Sequence, residues 1–339
     1  MTERSRSNHG RALVVRSVTT IAALVLVSAA SLAFMVGGCG TAGTGAGPGS
    51  TGPGGSGTSV TGPKSTGPSV TSPGSTVPAG GSTTTVAGIA HSTGKSDLVM
   101  QITVAGGLTT PEVSLYSIPQ FSLYGDGRAI VVGPTDAIYP PAALPNLQTT
   151  VVSEDVVQRI LQAAKRAGLF DPAFDYGRPG ITDVGTTTFV VNAEGQSFQT
   201  HVYALGFESD AGELTSEQQQ ARAALSELTS RLADLTSFTT KPPTWGTYDF
   251  SAIAVYSSIA QPGATDSTDV QPNRLDWPLA DLSTLGTEVQ GGLRRVVVSG
   301  TDLTALRPLL SQATSITLWR SAGKYYHVFL RPLLPDQNN

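Results

Sequence analysis

The pattern of apolar and polar positions divides the chain into three regions. Residues 17–38 carry no charge and are strongly apolar over Ile21–Val27. Residues 40–95 show no period. From residue 96 onward, apolar positions recur with the spacings of strands and helices. Asp97–Val104 alternates, which predicts a strand with Leu98, Met100, Ile102 and Val104 on one face. Gln120–Tyr124 and Ala129–Val132 flank Gly125-Asp126-Gly127 and predict a hairpin, since Asp-Gly suits the left-handed positions of a tight turn. Leu147–Val152 predicts another strand. Ser153 then caps a helix whose apolar face is Val156, Val157, Ile160, Leu161 and Ala164. Glu154 and Asp155 suit its first turn, and Gly168 ends it. Thr186–Val191 and Ser197–Leu205 predict a second hairpin around residues 192–195, and Ser216–Leu235 predicts a second helix.

Beyond Lys241-Pro242-Pro243 the order partly recurs. Leu293–Ser299 predicts a strand, Asp302–Gln312 a helix kinked or shortened by Pro308, and Ser315–Arg320 with Tyr325–Arg331 a hairpin. Residues 260–292 have little period and read as a long surface connection. Both halves run strand, serine, helix, strand, turn, strand, and Val151-Val152-Ser153 matches Val297-Val298-Ser299 letter for letter. The expected fold class is therefore α+β, mainly antiparallel sheet with helices on one face, built from two related β-α-β-β halves. The halves are residues 96–240 and 241–335, forming either one domain or two.

The start of the chain adds an address. Arg4, Arg6, Arg11 and Arg16 precede the apolar run, and Val36-Gly37-Gly38-Cys39 follows it. A basic start, an apolar run and small residues form a secretory signal. The last four residues resemble a bacterial lipobox. The resemblance implies a signal peptide over residues 1–38, cleavage before Cys39, and lipid on the Cys39 thiol holding the mature chain to the outer leaflet of the cell membrane. The uncharged run is also long enough for an uncleaved anchor, which needs about 20 apolar residues. Either way the basic start faces the cytoplasm and the remainder lies outside. Residues 39–95, rich in Gly, Ser, Thr and Pro, bury too little apolar surface to offset ordering entropy and read as a disordered tether.

Composition narrows the chemistry. Cys39 is the single cysteine, so a monomer has no disulfide and rests on its apolar core. Loss of residues 1–38 leaves 17 basic and 24 acidic side chains, a net charge of −7, which argues against a nucleic-acid partner. No cofactor motif is present: Gly88–Ser96 resembles a phosphate loop but has one residue too many between its glycines. Ser92-Thr-Gly-Lys95 and Ser321-Ala-Gly-Lys324 match Ser-x-x-Lys, but neither falls on the helix that would bring lysine beside serine. The candidate site residues are Asp126, which also suits its hairpin turn, Asp183, beside the Gly177–Gly180 loop, and the strand histidines His201 and His327. Glu208, Asp210 and Glu213 are oxygen ligands at calcium-like spacing. Trp245, Tyr248 and Trp277 fall between predicted elements, where they would line a recognition surface.

The segments Phe121-Ser-Leu-Tyr-Gly-Asp-Gly127, Ala163-Ala-Lys-Arg-Ala-Gly-Leu-Phe-Asp171 and Arg331-Pro-Leu-Leu-Pro335, with the Gly/Ser/Thr/Pro stalk, resemble uncharacterised cell-envelope lipoproteins of high-GC Gram-positive bacteria. That resemblance implies a location and no catalytic residue. The expected function is a non-catalytic binding module of the cell envelope with a protein or glycan ligand. The alternatives are an envelope hydrolase using an unrecognised carboxylate/His site, or a small-molecule-binding lipoprotein.

Overall fold

The computed structural model describes residues 88–110, 113–207, 214–261 and 270–337, which fall within a single compact unit. Among these residues the first sheet has seven strands: β1 (Leu98–Gly106), β2 (Phe121–Tyr124), β3 (Arg128–Val132), β4 (Leu147–Val151), β5 (Gly185–Ala193), β6 (Gln196–Tyr203) and β7 (Gly246–Thr247). Their spatial order is β6-β5-β1-β2-β3-β4-β7, antiparallel throughout. The second sheet contains β8 (Ala252–Ile259), β9 (Arg274–Asp276), β10 (Thr287–Glu288), β11 (Arg294–Ser299), β12 (Leu318–Ser321) and β13 (Lys324–Pro332). Its order is β10-β11-β8-β13-β12-β9, and only β12 and β9 run parallel. Among the described residues four α-helices accompany the sheets: α1 (Val113–Tyr116), α2 (Glu154–Arg166), α3 (Ser216–Asp234) and α4 (Gly300–Leu310). The fold is α+β, as the periodicity predicts.

The local signals act as expected where the chemistry is short-range. Helix α3 starts in a capping box, in which Gln218 N–H donates to the Thr215 hydroxyl and Thr215 N–H donates to the Gln218 side chain. Helix α2 ends in a Schellman turn: Leu169 N–H reaches the Ala164 carbonyl, and Gly168 takes the positive φ of 89°. Pro308 falls in the last turn of α4, where it costs one backbone bond without stopping the helix before Leu310.

Long-range packing corrects several expectations. A bulge shifts the β1–β2 register between Leu98 and Met100. Met100 and Ile102 therefore face α2 and α3, whereas Leu98 turns to the second core and Val104 is 39 % exposed. Strand β8, absent from the expected elements, is the central strand of the second sheet. Ala252–Ser257 is buried on both faces, so its apolar run is continuous and shows no alternation. Tyr248 and Trp277 are buried in the second core and line no surface; Trp277 meets Trp319 edge-on at 5.5 Å. Leu282 is also buried, so residues 270–292 are more than a surface connection. The β-α-β-β order recurs, but the neighbours differ. In the first half β5 lies inside and β6 at the edge; in the second, β13 lies inside and β12 outside it.

Residues 88–95, expected in the tether, pack on the domain instead. Ile89 is buried, its N–H donates to Gln158 Oε1 at 2.7 Å, and its carbonyl accepts from Gln158 Nε2 at 2.9 Å. His91 bonds the Ser92 carbonyl through Nδ1 and Glu154 through Nε2. Gly125 lets this segment cross the first hairpin, because a Cβ there would strike the backbone of Ser92 and Thr93.

The two sheets share a core. Helices α2 and α3 cover one face of the first sheet. On its other face Tyr124, Ile130 and Leu147 pack with Ile253, Val255, Val328 and Leu330 of the second sheet and with Leu303, Leu306 and Leu310 of α4. Tyr124 is fully buried and donates its phenol to Asp336 at 2.6 Å; the Tyr248 phenol donates to the Leu333 carbonyl at 3.0 Å.

Gln158→Ala removes both bonds to Ile89, so hydrogen exchange at residues 88–92 should accelerate while the sheet amides stay protected; unchanged exchange there would contradict the clamp. Burial raises the Tyr124 phenol pKa far above its ordinary value and lifts Tyr248 to about 12. The folded state thus holds protons that the unfolded chain releases near pH 10, so stability should fall between about pH 10 and 12. Tyr124→Phe should cost about 2 kcal/mol in urea unfolding at pH 7, the scale of a hydrogen bond to a charged group, and it should flatten the alkaline loss.

Candidate ligand-binding face

The second sheet has one face in the shared core and one turned away from it. Strand alternation decides which residues stand where. Ile253 and Val255 of β8, Tyr326, Val328 and Leu330 of β13, and Trp319 of β12 point into the core. Their neighbours point outward: Tyr256 and Ser258 of β8, Tyr325, His327, Phe329 and Arg331 of β13, and Leu318 and Arg320 of β12. Register continues the outward rows into the flanking strands. Arg295 of β11 stands opposite Tyr256, and Arg274 of β9 stands opposite Leu318.

The result is a segregation of charge. This face carries four arginines, Arg274, Arg295, Arg320 and Arg331, and one strand carboxylate, Asp276. Asp276 is taken by Arg320, at 2.5 Å from Nε and 2.9 Å from a terminal nitrogen, and these bonds hold its carboxyl below the usual range. Among the described residues, no carboxylate pairs with Arg274, Arg295 or Arg331. The Arg331 Nε is buried and has no hydrogen-bond partner there. Arginines are interleaved with aromatic rings. Arg295 Nε donates to the Tyr256 hydroxyl at 3.3 Å, and Arg274 sits 5.2 Å from the Tyr325 ring centre. Helix α1 lies over the middle of the face, with Tyr116 stacked on Phe329 at 4.6 Å and 4°. His327 lies between Ser258 and Leu318, and burial lowers its pKa, so it is neutral near pH 7.

The residues singled out from the sequence are not drawn together. Asp126 is a turn residue whose carboxylate accepts from Arg128 N–H at 3.1 Å and from the Arg128 guanidinium at 2.8 Å. Asp183 is exposed on the loop before β5, at φ 61°, and its backbone carbonyl accepts from Leu108. His201 stands on the edge strand β6 of the first sheet, 3.0 Å from the Thr188 hydroxyl. His327 belongs to the second sheet. The four occupy four separate elements. The hydroxyl of Ser321 is occupied by Leu282 N–H at 3.1 Å and faces Asp281 at 3.3 Å. The Glu208–Glu213 candidate and Cys39 lie outside the described residues. Among those described, no group of three His, Cys, Asp or Glu is placed to hold a metal, and no helix is long and apolar enough to cross a membrane.

The arginine face was missed because its members lie far apart in sequence. A local sign exists in Tyr325–Arg331, whose alternate positions are Tyr, His, Phe and Arg. Register with β8, which had no predicted strand, was needed to join them to Arg295. Comparison with known proteins adds no relative: no family model, curated protein or solved structure matches this chain.

Proposed function

We propose that this chain is a lipid-anchored extracytoplasmic protein whose folded domain is a non-catalytic binding module of the cell envelope. The anchor reading is supported by the basic start, the uncharged run and Val36-Gly37-Gly38-Cys39. One acyl chain holds a protein weakly and two or more hold it stably, at roughly 0.8 kcal/mol per buried methylene.

The binding reading is carried by one observation: the outward face of the second sheet concentrates unpaired arginines among aromatic side chains. Arginine and tyrosine are the residue types that dominate recognition surfaces. A hydrolase would need a nucleophile or water held against a positioned acid or base. Asp126, Asp183, His201 and His327 stand on separate elements: Asp126 and His201 are bonded locally, Asp183 is exposed and His327 is half-buried in its strand.

Cys39→Ala should abolish the lipidated mature form, leaving an uncleaved precursor or a protein lost from the membrane fraction. Labelling cells with an alkyne fatty acid and fractionating the membranes tests both points. Unchanged mature size and membrane retention, in the variant and under inhibition of lipoprotein processing, would refute the anchor.

A further inference from the structure

We infer that the outward face of the second sheet binds an extended polyanion of the envelope, a polymer with repeating phosphate or carboxylate groups. The inference rests on the binding-module reading and narrows it to a ligand class.

Charge is the first support. The mature chain is expected to carry a net charge of −7, yet among the described residues the strands of this face present four guanidiniums against one carboxylate. Arg320 is neutralised by Asp276, which leaves Arg274, Arg295 and Arg331 without a carboxylate among the described residues. A guanidinium whose Nε is buried and unbonded costs stability unless something completes it. Arg331 is such a group. That nitrogen is closed to solvent, so the face meets an oxyanion through the exposed Arg274 and the part-exposed Arg295.

Spacing selects a polymer over a single anion. Neighbouring strands lie about 4.8 Å apart. Arg295 on β11 and Arg331 on β13 are two strand intervals apart, and Arg274 on β9 is four intervals from Arg295. The cations therefore span about 19 Å across the sheet. One phosphate contacts one end of that row; a chain of anions passing α1, which covers the middle of the face, contacts both. A membrane surface fits less well. Interfacial binding needs apolar side chains that project into the headgroups. Here Tyr256 is 3 % exposed, Phe329 is stacked under Tyr116, and among the described strand residues of the face Val297 is the large apolar side chain that stands well exposed.

The test uses purified full-length lipidated protein in non-ionic detergent, titrated with inorganic polyphosphate. Binding should weaken steeply with salt, because polyanion contacts release counterions. Arg274→Gln alters an exposed side chain and should lower affinity several-fold. It should also reduce the slope of log affinity against log salt by about one, since one cationic contact is lost. Arg295→Gln should do the same. Asp276→Asn releases Arg320 and should strengthen binding, which damage to the fold would not do. No polyphosphate binding by the wild type at low salt would overturn the inference, as would affinities indifferent to Arg274, Arg295 and Asp276. In a second arm, protein reconstituted in phosphatidylcholine vesicles is mixed with phosphatidylglycerol-containing vesicles. Arginine-dependent clustering that polyphosphate cannot compete would assign the face to membranes and overturn the polymer. Wild-type protein that binds a neutral wall glycan but no polyphosphate would overturn this inference and leave the binding module standing. If nothing is bound, both fail.

Discussion

The burial of Tyr124 between two sheets is the constraint on which the remaining architecture depends. β2 and β3 are covered on one face by α2 and α3 and on the other by the second sheet and α4. A strand buried twice has no polar side to offer, and Phe121–Tyr124 is accordingly buried at every position. The polar atoms that enter this core must find partners there. The Tyr124 phenol does so with Asp336 in the C-terminal turn, and the Tyr248 phenol with the Leu333 carbonyl. The first bond ties Asp336 to the first hairpin, and the second ties Leu333 to the segment between β7 and β8. The shared core also explains why the two sheets form one compact unit rather than two independent domains.

Having committed one face of the second sheet to that core, the fold frees the other. Alternation along a strand is strict, so a slip of one residue in β13 would send His327 and Arg331 into the core and Val328 and Leu330 outward. The apolar set therefore holds the arginines outward. Two residues in the first sheet show the same logic with a different outcome: His201 is displayed beside Thr188 on an edge strand, with no cation row around it.

Much of the fold was legible along the chain because its causes are local. The Gly125-Asp126-Gly127 turn, the capping box of α3 and the Gly168 stop of α2 each operate within a few residues. The failures share a different cause. Ala252–Ile259 is a central strand whose apolar run hides its period, and the β1 bulge moves Leu98 to another core. Residues 88–95 resemble tether by composition, yet Gln158 and Glu154 sixty or more residues away hold them in place. Residue type and local element name Asp126, Asp183, His201 and His327 as candidates, and neither says anything about convergence.

By itself the sequence determined the α+β class, most hairpins and helices, and the expectation of export and lipid at Cys39, because periodicity, turn chemistry and the run before Cys39 are properties of neighbouring residues. Only the tertiary structure decided which face each strand exposes. A net charge of −7 expected for the mature chain is a sum over all its residues, and a sum carries no direction. Strand pairing gave it one, placing Arg274, Arg295, Arg320 and Arg331 on a single face through registers that join residues up to 79 positions apart.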